Sequence, residues 1–159
     1  MLKPVETLSL HTRREFCAHA CQAASVLALG TVVGCGDSGT SPSSTSAPPL
    51  ASAAGTVAGR VVSVTVAGSA LATVGSAATV QTALGTFLVS RTGQDTFVAL
   101  TAVCTHEQCT ITGFDGSRYV CPCHGSQYNT GGSVVTGPAT RPLQQFSTAF
   151  AAGVLTFTV

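Results

Sequence analysis

Charge is scarce in this chain: 8% of its 159 residues are Asp, Glu, Lys or Arg, and the formal net charge is +1. The cationic field that nucleic-acid binding depends on is missing, so nucleic acid is not an expected partner. Tryptophan is absent and methionine occurs once. No apolar run reaches the roughly 20 residues that carry a helix across a bilayer; the weakly apolar stretch Ala20 to Gly34 stops at fifteen and includes Gln22. After Gly55 no segment joins helical apolar periodicity to capping residues, which argues against a helical core. Sulfur and imidazole are what the chain does have, in seven cysteines and four histidines. Metal or disulfide chemistry is therefore the first expectation. The length suits one domain with appendages, since domains most often run to roughly 100–150 residues.

The first 35 residues differ in composition from the rest and read as an address rather than as part of the fold. His11-Thr12-Arg13-Arg14-Glu15-Phe16 precedes the apolar stretch and resembles the twin-arginine export signal. That stretch ends in Val32-Val33-Gly34-Cys35, which resembles a bacterial lipobox and makes Cys35 a lipidation candidate, with an ordinary thiol near a cleavage site or an uncleaved anchor as the alternatives. Residues 36–54 are rich in Gly, Ser, Thr, Pro and Ala and carry too little large apolar surface to offset ordering entropy, so a flexible linker is expected there. A linker of that kind lets a globular head move between an electron donor and an acceptor while held at a membrane.

Residues 55–159 read as the folded domain. Val61 to Val66, Thr79 to Thr82, Phe87 to Arg91, Thr96 to Leu100, Arg118 to Val120, Leu143 to Phe150 and Val154 to Val159 are short and rich in Val, Thr and Phe, as strands are. Turn residues fall between them at Thr92 to Asp95, Phe114 to Ser117 and Ala151 to Gly153, which predicts hairpins. The expected fold class is all-β, built of antiparallel hairpins.

Two short windows carry the chemistry. Cys104-Thr105-His106-Glu107-Gln108-Cys109 and Cys121-Pro122-Cys123-His124-Gly125-Ser126 hold every cysteine and histidine that follows Cys35. Scattered structural residues would not confine themselves in this way. Cys104-x-His106 and Cys121-x-x-His124 offer two thiolates and two imidazoles, a set that suits tetrahedral zinc or a mixed-ligand iron-sulfur cluster. Four-coordinate zinc leaves two thiols over, and in an exported protein such a pair oxidises to a disulfide.

These windows resemble the two cluster loops of the Rieske [2Fe-2S] family, in particular the disulfide-containing, high-potential branch found in cytochrome bc complexes and in the small subunit of arsenite oxidase. The resemblance implies one [2Fe-2S] cluster, with Cys104 and Cys121 on one iron and His106 and His124 on the other. It places Cys109 and Cys123 in the disulfide positions. Ser126 and Tyr128, in CHGSQY, match the family's hydroxyl donors to cluster sulfur. Gly137-Pro138-Ala139, followed by Pro142, resembles the loop that covers the cluster. The implied function is one-electron transfer by an exported, membrane-attached protein facing the periplasm or cell exterior. Implied partners are redox proteins and, for a subunit of a quinol:cytochrome c reductase, quinol; a subunit of a molybdenum oxidoreductase is the other enzymatic setting.

One departure stands out. Rieske proteins of bc complexes usually read CTHLGC, whereas this loop has Glu107 and Gln108. A carboxylate next to His106 changes the surface on which quinol would dock.

Overall fold

The computed structural model describes residues 47–159, which hold thirteen strands and, among the described residues, no helix. Arg13, Arg14 and Cys35 lie outside the described residues. The domain has three layers. The middle sheet runs β1 (Ala51–Ala54), β4 (Ala77–Thr82), β5 (Gly85–Arg91), β6 (Phe97–Thr101) and β11 (Gln145–Phe146) in that spatial order. One outer sheet is β12 (Thr148–Ala151), β13 (Val154–Thr158), β3 (Val61–Thr65) and β2 (Thr56–Ala58). The other is β10 (Val134–Thr136), β9 (Gln127–Asn129), β8 (Arg118–Val120) and β7 (Gly113–Phe114).

The middle sheet is buried on both faces, and this explains why its strands lack strict alternation of apolar and polar residues. On β5, Phe87 and Val89 enter one apolar cluster with Val62, Val64, Leu155 and Phe157, while Leu88 between them enters a second with Leu100, Ile111, Tyr119, Tyr128 and Leu143. Phe87 meets Phe146 and Phe157 edge to face at centroid distances of 5.4 and 5.1 Å. Each such ring contributes roughly 1.5–3 kcal/mol through burial. The second cluster matters for function, because Cys104 and Cys121 are part of it.

The three expected hairpins form, as β5–β6, β7–β8 and β12–β13. The short strands β2, β7, β9 and β10 are not among those expected, and two further segments differ from expectation. Ala51–Ala54, read as the end of the linker, is a strand, and its pairing with β4 is parallel rather than antiparallel. Its Ala and Ser side chains give no β-forming signal; the strand is held by backbone pairing and by burial of Ala53. Leu143 to Phe150, read as one strand, is two. The chain leaves the middle sheet after Phe146, which pairs with Ala99, and joins the outer sheet at Thr148, which pairs with Phe157.

Candidate metal centre

Both cysteine- and histidine-bearing windows are connections between strands. The first follows β6 and leads to β7; the second joins β8 to β9. Their backbones repeat one pattern. In the first loop the Cys104 N–H donates to Cys109 O at 2.8 Å and the Gln108 N–H to Cys104 O at 2.9 Å. In the second the Cys121 N–H donates to Ser126 O at 2.9 Å and the Gly125 N–H to Cys121 O at 3.0 Å. Each turn needs its fifth residue in the left-handed region. Gly125 meets that need at φ 72° without a side chain, and Gln108 meets it at φ 56° with one.

The loops face one another. A disulfide joins Cys109 to Cys123, with a Cα separation of 6.5 Å. Cys104 and Cys121 are free thiols, each about 1% exposed. Burial is the largest influence on Cys104 and by itself raises its pKa; the balance still falls below the ordinary thiol range, because the Tyr128 hydroxyl, the backbone of His106 and Glu107 and the Cys121 thiol all hydrogen-bond its sulfur. For Cys121, burial and the neighbouring Cys104 outweigh the backbone hydrogen bonds and push the pKa up. Hydrogen bonding thus favours the thiolate at Cys104, and burial favours the thiol at Cys121.

Above the thiols the two imidazoles lie at the surface, with ring centroids 5.1 Å apart and planes at 90°. Their side chains are 30% and 48% exposed for His106 and His124. Glu107 reaches between them, one carboxylate oxygen 3.8 Å from His106 Nε2 and the other 3.8 Å from His124 Nδ1.

Ser126 and Tyr128 are fully buried, so neither hydroxyl faces water. Tyr128 Oη lies 3.3 Å from Cys104 Sγ. Burial and the adjacent Cys104 raise the Tyr128 pKa, which keeps the phenol protonated and able to donate. Ser126 Oγ accepts the Ala139 N–H at 3.2 Å, which ties the second loop to the segment containing Gly137 and Pro138. Gly137 sits there at φ 121°, and a Cβ on it would stand 2.3 Å from Ser126 Cα. Only glycine lets this segment lie so close to Ser126.

The donor set is what a Cys₂His₂ [2Fe-2S] site requires: two buried sulfurs without a covalent partner, and two imidazoles on the matching loops. The family model for the Rieske [2Fe-2S] domain matches residues 53–147. The chain belongs to the Rieske [2Fe-2S] family. Its cofactor is accordingly one [2Fe-2S] cluster rather than zinc.

A 53-residue stretch is 45% identical to the cytochrome b6-f complex iron-sulfur subunit of Prochlorococcus marinus (strain MIT 9301), and covers 33% of this chain and 30% of that protein. The subunit of the same name from Chlorobaculum thiosulfatiphilum is 43% identical over 49 residues, 30% of this chain and 27% of that protein. These matches span less than a third of the relatives' length. Among solved structures, the cyanobacterial plasma membrane Rieske protein PetC3 from Synechocystis PCC 6803 aligns with 52% of this chain and 86% of its own, at 27% identity and a TM-score of 0.47.

Two residues of this Rieske site escaped the sequence reading. Thr105 Oγ1 lies 3.0 Å from Tyr128 Oη and 2.6 Å from Arg141 O, so it links the first loop to β9 and to the segment before Pro142. Its place between Cys104 and His106 was the available signal. Tyr119 stands opposite Tyr128 across β8–β9, fully buried, with a pKa pushed up to about 12 by burial, which outweighs the lowering effect of the Ser90 side chain. Its ring packs on Phe114 at a centroid distance of 5.3 Å, in the same apolar cluster as Tyr128.

Proposed function

We propose that this chain is an exported, membrane-attached carrier of single electrons. One observation carries the reading: two unpaired thiols lie buried beneath two imidazoles that reach the surface, on loops joined by a disulfide. Cys104 and Cys121 would hold the inner iron and His106 and His124 the outer one, and the cluster, when bound, accepts and releases one electron. The remaining roles belong to the protein. Tyr128 donates a hydrogen bond to the Cys104 sulfur, and Ser126 is placed to do the same towards the cluster. Both donors favour the more negative reduced state and so a high potential. The disulfide holds the loops in register, and the segment at Gly137 and Pro138 excludes water from the sulfur side. The exposed imidazole edges are the port for electrons.

The N-terminal segment supports attachment and export: the Arg13-Arg14 pair as a twin-arginine signal, Cys35 as the lipidation point, and residues 36–46 as the linker. The partners are redox proteins on the periplasmic or exterior side. A second reading, a subunit of a cytochrome complex that oxidises quinol, is favoured by the names of the relatives; Glu107 between the imidazoles disfavours it, because it puts a charge where an apolar quinol ring would dock.

The test is metal analysis of the purified protein. Two irons and two acid-labile sulfides per chain, with a red-brown colour, are expected, as is loss of both in Cys121→Ser. A colourless protein with one zinc refutes the reading. Replacement of Arg13 and Arg14 by Lys should leave a cluster-bearing precursor in the cytoplasm, and unchanged export would remove the twin-arginine route.

A further inference from the structure

We propose that Thr105 tunes the reduction potential by competing with the Cys104 sulfur for the one phenolic proton of Tyr128. This rests on the ligand reading above, in which Cys104 is a thiolate. Thr105 Oγ1 lies 2.6 Å from the carbonyl oxygen of Arg141, and a carbonyl only accepts, so the threonine proton is committed there. The Tyr128 oxygen accepts the Thr105 backbone N–H at 3.2 Å. Its own proton then faces two acceptors, Cys104 Sγ at 3.3 Å and Thr105 Oγ1 at 3.0 Å. A bound thiolate has no proton to contribute. Three contacts therefore share two hydroxyl protons, and Tyr128 is fully buried, so its proton has no water to turn to instead.

The shortage has a sign. An electron delivered to the centre makes the sulfur more negative and draws the phenolic proton towards it, away from Thr105. In the oxidised state the proton has two resting places, and in the reduced state it has one. Losing that freedom disfavours reduction, so the potential is lower than it would be without the Thr105 oxygen. Equal sharing before reduction and full commitment afterwards amounts to about a twofold bias in the redox equilibrium, or ~18 mV at 59 mV per tenfold.

Thr105→Val removes the competing oxygen, keeps the shape and retains the backbone donor. Arg141 O loses its partner, but Arg141 is exposed and lines an open cleft with Thr105, His106 and Gln108, where water replaces the threonine. The expected result is a higher midpoint potential, by about twofold in the equilibrium constant, with Thr105→Ser at the wild-type value. The deciding comparison repeats Thr105→Val in a Tyr128→Phe background, where no phenolic proton exists and no shift is expected. A potential that falls, or that rises equally in both backgrounds, overturns the proposal. Thr105→Ala carries the same expectation should the valine variant not hold a cluster. A second readout needs no change at position 105. The phenol C–O stretch of Tyr128, assigned by its loss in Tyr128→Phe, should move in the reduced-minus-oxidised infrared difference spectrum, and a band that stays put overturns the proposal. Iron and sulfide are measured first in every sample. A wild-type protein without them ends the functional reading, whereas a loaded wild type with no upward shift in Thr105→Val ends this proposal alone.

Discussion

Gln108 offers a test of how the first cluster loop is built. Its φ of 56° belongs to the left-handed region, which costs an L-residue with a side chain roughly 1–2 kcal/mol. Gln108→Gly removes that cost and gives back part of it, roughly 0.4–1 kcal/mol, through the greater freedom of glycine in the unfolded chain. The balance is a gain of about 1 kcal/mol. For a domain of this size that corresponds to a rise in melting temperature of roughly 5 °C. The assay is urea unfolding of the oxidised protein with the disulfide intact, followed by circular dichroism; the midpoint should rise with its slope unchanged. Gln108→Val should move the midpoint the other way, because a β-branched residue fits the left-handed region least well. Gly125→Ala, at the equivalent point of the second loop, should lose about what Gln108→Gly gains. A neutral or destabilising Gln108→Gly, or a valine tolerated as well as glutamine, would mean that the left-handed backbone at position 108 carries no such cost.

Gly137→Ala should displace its segment from Ser126, because its methyl group would meet Ser126 Cα and its φ suits no L-residue; a loss of roughly 2–4 kcal/mol in the same unfolding assay is expected, and, if the segment covers the cluster as proposed, faster bleaching of the visible spectrum. Cys109→Ala opens the bridge to Cys123 across a sequence separation of 14 residues, and thermal unfolding should show a loss of roughly 3 kcal/mol. At the β7–β8 hairpin, the Asp115 carboxylate accepts the backbone N–H of Ser117 and Arg118, which holds its pKa below the usual range. Its stabilising contribution is therefore present above the unfolded aspartate value of about 3.9 and disappears as pH falls through the lower folded value. The stability difference between wild type and Asp115→Ala should shrink on acidification over that range, and a difference that does not vary with pH would contradict this.

Much of the fold could be read from the order of residues, for reasons that also explain the misses. Strands such as Phe87 to Arg91 announced themselves because burial on both faces requires an unbroken apolar run. Ala51–Ala54 gave no such notice, since its stability comes from backbone pairing and from one small buried alanine. The break at Ser147 between β11 and β12 was hidden because both halves are β-forming and only the three-dimensional path decides which sheet each joins. At the site, the paired windows revealed the family because sulfur and imidazole are rare and their spacing is tight. The pairing of Cys109 with Cys123, implied by that likeness, is present in the structure. Thr105 went unnoticed because a threonine beside ligands has no pattern of its own; its importance lies in reaching Tyr128 and Arg141, 23 and 36 residues away.

The parallel strand β1 also bears on how copies of this molecule could associate. Gly55, whose Cβ would collide with Val80 Cγ1 at 2.6 Å, is the joint at which the chain passes from β1 in the middle sheet to β2 in the outer one. A fragment begun at Gly55 would leave the amide and carbonyl row of β4 without a partner, along a strand whose first four residues are otherwise buried. Such an edge accepts a strand from another molecule. A free peptide covering residues 47–54 would be the natural competitor for that edge, filling it in trans and holding the fragment as a monomer.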